Sequence, residues 1–492
     1  MIRNLNKIFK IFFILLVNLE ANEVKIKPKE DLLKISSQKK ERLETSSSEK
    51  LTLNKLLNQV NKNFPLLAAA FQDMRIAEAE LLSAKGAFDP TLRGGGTVAS
   101  GYYNNSRFDS VVEQPTPVGG TSFFAGYRLG LGAFPPYYGE RATNQYGEVR
   151  AGARVPLWRD RAIDRNRANL KQAEIGIRLA DLSIQQQKIE IFRNAALRYW
   201  EWIGAVERYK IAKAIYNIAV ERQQQIQKRV QAGDMAKIEL KDNERIVLQR
   251  EAQLIAAQQA VDIASNELII YLQDSPHSKV DLDPSMIPEE PFQQIPDIIN
   301  INIQKEVEKA LDKRPEIQRF KAQKDQNRID EELARNQMKP GVDFVVAASQ
   351  DFGPGSYTRA KTELEASLVL NVPLATRTQR GKIQSAVAKN KKLDAQEEFL
   401  RNRIEADIKN TYSILSMTRQ RAELAKKEVK LAKQLEKAEI DRFIAGEGTL
   451  ILVNIREQTT AEAGFREIDA LTDHSRAIIQ FKAAIMDILP SE

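Results

Sequence analysis

Proline is missing from two long stretches, Leu157–Ser275 and Leu374–Leu489, in a chain of 492 residues that carries 18 prolines elsewhere. Both stretches are rich in Ala, Leu, Ile, Gln, Glu, Lys and Arg, residues that helices accept at little cost. In the first, Ile175, Leu179, Leu182, Ile189, Phe192, Ala196, Ile203 and Val206 recur at three-or-four spacing, the seam of a coiled-coil-like helix. A helix from 166 to 232 rises about 100 Å at about 1.5 Å per residue. The expected molecule is elongated and mainly α.

Each stretch is interrupted by a similar phrase, Arg229-Val-Gln-Ala-Gly233 in one and Arg442-Phe-Ile-Ala-Gly446 in the other. Glycine just past a last helical turn adopts the left-handed conformation that ends a helix, so both phrases read as tips of antiparallel helical hairpins. A glycine tolerated inside one continuous helix is the other reading, since Gly176 and Gly204 also fall within the pattern; repetition of the whole phrase favours the tips.

The chain repeats itself. Val155-Pro156-Leu157 returns as Val372-Pro373-Leu374, and Asn63-Phe64-Pro65-Leu66 has a loose counterpart in Lys313-Arg314-Pro315-Glu316. The proline offsets are 217 and 250, so copy one holds about 33 additional residues between its two prolines. Strand signals fall in this region. Leu364, Ala366, Leu368, Leu370 and Val372 alternate with Glu363, Glu365, Ser367 and Asn371, and Val149, Ala151, Ala153 and Val155 alternate with Arg150, Gly152 and Arg154. Segments 91–103 and 342–350 are their expected partners, and Phe123, Ala125, Tyr127, Leu129 and Leu131 read as a longer hairpin or loop that accounts for the excess. Each copy is thus a strand pair followed by a helical hairpin. A soluble sandwich also fits this patterning; a sealed membrane barrel needs about eight strands, more than one such chain supplies.

The resulting organisation is a signal peptide over 1–21, a charged Ser-rich lead-in over 22–50, a first repeat over 51–275, a linker over 276–300 and a second repeat over 301–489. Within the first repeat, strands lie at about 91–156 and the hairpin at about 160–273; within the second, at about 341–373 and 376–488. The signal reading rests on Arg3, Lys7 and Lys10 before the apolar run Ile11–Val17, with Ala21 as the cleavage residue; a buried N-terminal helix is the alternative.

Composition removes most chemistry. There is no cysteine, so disulfides, thiol nucleophiles, iron–sulfur sites and a lipidated N-terminal cysteine are excluded. Only His277 and His474 could serve as imidazole ligands or bases. The 74 basic and 66 acidic residues give a net charge of +8, but the signs are interleaved, as on solvated helix faces and unlike a nucleic-acid tract. His474 beside Asp473 reads as a helix surface, because adjacent helical side chains diverge. The glycines at 94–96 and from Gly126 to Gly132 lack the phosphate-loop ending and the dinucleotide spacing, and suit bent strands. Trp158 is expected at a membrane interface just past a strand, and Trp200 and Trp202 in packing. No catalytic, cofactor or metal residue is expected.

The duplicated order of Leu51-Thr-Leu-Asn-Lys-Leu-Leu, Asn-Phe-Pro-Leu, strands ending in Val-Pro-Leu and an Arg-x-x-x-Gly tip, with Ala310-Leu-Asp-Lys-Arg-Pro opening the second copy, resembles the TolC-like outer-membrane efflux protein family (outer membrane factors) over about residues 51–489. The resemblance implies a homotrimer in outer-membrane lipid, each chain giving four strands to a shared 12-stranded barrel and its hairpins to an α-helical tunnel across the periplasm. It further implies a passive exit duct of a tripartite efflux or type I secretion system, served by a periplasmic adaptor and an inner-membrane transporter. Arg229, Gly233, Arg442 and Gly446 would form the adaptor-docking tip. The family's acidic constriction is replaced here by Leu452 and Ile455, so the expected constriction is mixed, with Leu450 and Leu452 apolar and Glu239, Asp242 and neighbouring Asp234 acidic. An elongated periplasmic adaptor or envelope spacer is the alternative, although an adaptor needs one hairpin and this chain has two.

Overall fold

A computed structural model describes residues 50–138, 142–272, 282–292 and 301–488. The chain divides into two units, Met1–Leu51 and Thr52–Glu492; almost all of the first lies outside the described residues, as do the expected signal peptide, His277 and most of the linker. The second unit holds all of the described helices and strands.

Proline and capping residues set the helix breaks twice over. In copy one α1 (Leu53–Asn63) begins where the Thr52 hydroxyl accepts the Lys55 amide at 3.3 Å, and it stops at Phe64, held extended (φ −71°, ψ 123°) ahead of Pro65. A residue before proline is pushed out of the helical region, whereas proline itself suits a first helical position, so α2 (Pro65–Gly86) starts at once. Copy two repeats the arrangement with α5 (Ile303–Lys313), the Asn302 cap on Lys305, extended Arg314 and α6 (Pro315–Asn336). The proline-free stretches become α3 (Arg165–Gln231, 67 residues) with its return arm α4 (Lys237–Ile269, 33 residues), and α7 (Arg377–Ile444, 68 residues) with α8 (Leu450–Ala484, 35 residues). Each return arm is half the length of its partner; α2 and α6 pack along the remainder.

The core is a thin seam between helices. In copy two Val307, Ala310, Ile317, Ile404, Ile408, Ile478 and Phe481 join α5, α6, α7 and α8 in one buried cluster. In copy one Phe192, Trp202, Ile203 and Val206 are fully buried on α3, and Trp200 stacks on Phe292 with centroids 5.8 Å apart. The burial of the seam residues named from periodicity is not uniform: Ile175 is only half-buried beside the Ile163, Ala168 and Ile329 cluster.

The strands depart from expectation. Six form one antiparallel meander in sequence order: β1 (Thr91–Ala99), β2 (Asn105–Pro115), β3 (Ser122–Gly132), β4 (Glu148–Pro156), β5 (Gly341–Asp351) and β6 (Glu363–Asn371). Copy one supplies four of these rather than a pair, and the described residues supply six rather than the four that the resemblance implied. Residues 100–147 separate β1 from β4, while 352–362 separate β5 from β6; the excess folds as the complete hairpin β2–β3. Segment 105–115 gives only a faint strand signal because Ser106, Ser110 and Gln114 dilute its alternation. Tyr102 and Tyr103 lie beyond the end of β1.

Candidate functional site: a two-faced sheet and two hairpin turns

The registers set Leu92, Val112, Ala125, Ala151, Ala348 and Leu364 in one row across all six strands. The same face carries Val98, Phe108, Phe123, Val149, Phe344, Val346, Leu368 and Leu370, all exposed, Val98 to 82% and Leu368 to 68%. Single exposed apolar residues are ordinary; a continuous apolar face six strands wide is not. The reverse face is charged. Arg93 meets Glu113 at 3.5 Å, Arg107 pairs with Asp109, Arg128 pairs with the buried Glu148, and Arg150 lies over the Phe124 ring at 5.3 Å. Every strand has 9 or 11 residues, the length that crosses a bilayer when tilted about 45°. Apolar-out, polar-in strands of that length are the wall of a membrane barrel. None of the described helices is long and apolar enough to cross a membrane.

The sheet's charged face opens on the same space as the helices. A polar cavity at their junction is lined by Arg93, Glu113, Arg154 and Asp343 from the strands, Asp330 from α6 and Lys382 from α7. Just beyond β4, Trp158 is 54% exposed, and Asp160 turns the chain toward α3 with φ at +65°. The Asp160 amide donates to Asn336 Oδ1 at 2.8 Å and its carboxylate accepts from Gln337 at 2.6 Å, tying copy one to the end of α6. Burial pushes the Asp160 carboxyl above its ordinary pKa, against the opposing Gln337 hydrogen bond and the Arg159 charge.

At the outer end, the β3–β4 and β5–β6 loops are joined. Asn144 donates to the Ser356 carbonyl at 3.1 Å and accepts the Ser356 amide at 2.9 Å, while the Tyr146 amide donates to the Phe352 carbonyl at 3.0 Å.

At the opposite end the two hairpins turn identically. Gly233 (φ +85°) and Gly446 (φ +83°) follow the last helical turns. The Asp234 amide donates back to the Arg229 carbonyl at 2.9 Å and the Glu447 amide to the Arg442 carbonyl at 3.0 Å, the six-to-one bond of a Schellman cap. Arg229 and Arg442 therefore carry the acceptor carbonyls of these caps. The acidic and apolar residues singled out nearby separate. Asp234 is exposed, Glu239 lies in the first turn of α4, and Asp242 pairs with Arg245 at 3.0 Å. Leu450 is buried, so the apolar lining expected from it is corrected: as the first helical residue it packs inside the chain, while Leu452 is 41% exposed. The groove between α4 and α8 instead brings Asp242 and Arg245 together with Ile451 and Ile455.

One cluster has no counterpart among the sequence expectations. Glu457 on α8 accepts from Arg222 of α3 and Arg250 of α4; Arg222 also donates to Asn454 at 2.6 Å, and Arg250 to the Ile215 carbonyl at 3.0 Å. The Glu457 and Arg250 side chains are each 3% exposed. Glu457 stands on a seam with Val453, Ala461 and Gly464, so a charge on an apolar stripe was the available signal. Elsewhere, Asp473 faces Arg421 at 3.6 Å and His474 Nδ1 lies 3.4 Å from Thr418 Oγ1, so these neighbours do not act on one another. No group of metal-ligating side chains occurs among the described residues.

Residues 56–272 match the outer membrane efflux protein family. Comparison with curated proteins gave no match. Among solved structures, the outer-membrane channel OprN is 16% identical with a TM-score of 0.64, over 89% of this chain and 91% of that one. The CmeC outer membrane channel of Campylobacter jejuni is 14% identical with a TM-score of 0.62, over 89% and 86%. The Neisseria gonorrhoeae MtrE outer membrane channel, in its open state, is 13% identical with a TM-score of 0.62, over 89% of each chain.

Proposed function

We infer from the match of residues 56–272 to the outer membrane efflux protein family that the chain is an outer-membrane export channel. It is a passive exit duct: the sheet lies in the outer membrane, the hairpins extend into the periplasm, and no bond chemistry is involved. The observation that carries this reading is the six-strand sheet with a continuous apolar face and a charged reverse that opens onto the helices. The strands of one chain leave β1 and β6 as free edges, so a wall without edges requires several copies. Three copies are the number the shared fold suggests. A periplasmic adaptor and an inner-membrane transporter complete the route, with the turns at Gly233 and Gly446 as the adaptor-facing end.

The constriction belongs near those turns. Asp242 and Glu239 supply acid, and Ile451, Leu452 and Ile455 supply apolar surface. Under rotational symmetry each inward carboxylate becomes a ring, which favours cations in a narrow passage. The experiment is direct: the detergent-solubilised protein should be a heat-modifiable trimer that conducts in planar bilayers, and its deletion should make exported compounds accumulate in the cell. A stable, non-conducting monomer overturns the reading.

A further inference from the structure

The export-channel reading leaves open what the extra hairpin does, and resting on that reading we propose that β2 and β3 are part of the membrane wall, so that three copies of this chain close an eighteen-stranded barrel instead of a twelve-stranded one. Four observations carry it. β2 and β3 have 11 residues each, enough to cross a bilayer, and they sit between β1 and β4 in one unbroken ladder. Their faces follow the sheet: Phe108, Val112, Phe123, Ala125 and Leu129 lie on the apolar side, Arg107, Asp109 and Arg128 on the charged side. The turn between them is seated at the inner base of the wall. Gly120 (φ +73°) is packed so closely on the Asp160 carbonyl, Pro156 and Arg167 that a Cβ there would collide, and Gln114 of β2 donates to the Phe88 carbonyl where α2 meets β1. An external flap would have none of these anchors.

The fourth observation is geometric. The six strands alternate in direction, so β1 and β6, each of nine residues, run antiparallel and match in length. The β6 edge of one copy can pair with the β1 edge of the next, continuing the lipid face from Leu364, Leu368 and Leu370 onto Leu92 and Val98. Three chains bring twelve helical segments to any level of the tunnel; at about 8–10 Å between axes their ring measures roughly 95–120 Å around. Eighteen strands at about 4.8 Å spacing and a tilt of about 35–45° give roughly 105–120 Å, whereas twelve give only about 70–80 Å. The wider wall meets the helical ring without a step. Its diameter is about 1.5 times that of a twelve-stranded wall, which suits export of bulkier cargo through the outer end.

The chain has no native cysteine, so single introduced thiols report cleanly. In outer membranes, a charged water-soluble thiol reagent should modify Asp109→Cys and Val111→Cys at least tenfold faster than Val112→Cys and Leu129→Cys, matching control pairs Ser349→Cys against Val346→Cys on β5. Gly95→Cys should form a disulfide between copies with one of Glu365→Cys, Ser367→Cys or Val369→Cys, and the particle mass should be three chains. Equal modification of both faces of β2 and β3 while β5 alternates, or a two-chain particle, overturns the eighteen-stranded wall and leaves the export channel standing. Loss of alternation on β5 as well overturns the export-channel reading itself.

Discussion

Glu457 accepts a hydrogen bond from Arg250 at 3.1 Å with both side chains 3% exposed, joining α8 of the second hairpin to α4 of the first. Arg222 approaches the same carboxylate from α3. One buried guanidinium group, Arg250, and one half-buried one, Arg222, thus share one buried acid close to the turns. Removing one member of such a cluster leaves uncompensated charge and costs about 3–5 kcal/mol, whereas replacing all of it with apolar residues of similar size is close to neutral. Glu457→Gln should therefore lower the unfolding midpoint of the purified channel and increase its open time in bilayers, because the hairpins lose their link close to the proposed constriction. The triple variant Arg222→Met, Arg250→Met, Glu457→Leu should recover stability. Unchanged stability and gating in Glu457→Gln would show that the cluster holds nothing together.

The hairpin turns make a second demand. Gly233 and Gly446 both lie in the left-handed region, where a side chain costs about 1 kcal/mol or more, and neither has a neighbour that a Cβ would strike. The cost of substitution is conformational rather than steric. Gly233→Val with Gly446→Val should leave the barrel inserted and trimeric but reduce export, as the turns proposed to meet the adaptor lose their shape. Normal export by this double variant would remove the turns from the docking surface.

At the proposed constriction, the charge balance of the α4–α8 groove is expected to set selectivity. Asp242 is paired with Arg245 at 3.0 Å, so part of its field is already cancelled. Arg245→Ala should raise cation preference in single-channel recordings, and Glu239→Gln with Asp242→Asn should lower it. If both variants keep the parent reversal potential, closure is apolar alone, through Ile451, Leu452 and Ile455.

Much of this architecture was legible because helix breaks are written in single residues. Pro65 and Pro315 start helices where the sequence has them, and Gly233 and Gly446 end them. Strand β2 was not, since an outward face that alternates Phe108 and Val112 with Ser106, Ser110 and Gln114 carries a weak period-two signal; its membership of the sheet is decided by pairing with β1 and β3. Leu450 and Ile451 illustrate another limit. Both are apolar neighbours after a capping threonine, and only the packing of α8 decides that the first is buried and the second faces the groove. The Glu457 cluster joins α8 to two helices more than two hundred residues earlier in the chain, a juxtaposition no local pattern encodes.

The joint between barrel and tunnel offers a pH test. Burial raises the Asp160 carboxyl pKa more than Gln337 and Arg159 lower it. A carboxyl whose folded pKa exceeds its unfolded value contributes stability that is fully present below the unfolded pKa and is lost as pH rises through the folded one. At neutral pH the ionised group therefore sits where burial disfavours it. Asn tolerates the left-handed backbone that position 160 requires and can still accept from Gln337 through its amide oxygen. Asp160→Asn should thus match or exceed the parent protein in unfolding midpoint at neutral pH, and its advantage should shrink as pH falls through the carboxylate range. A variant less stable at neutral pH, with the gap closing in acid, would mean that the ionised carboxylate with Arg159 is what holds β4 to the end of α6.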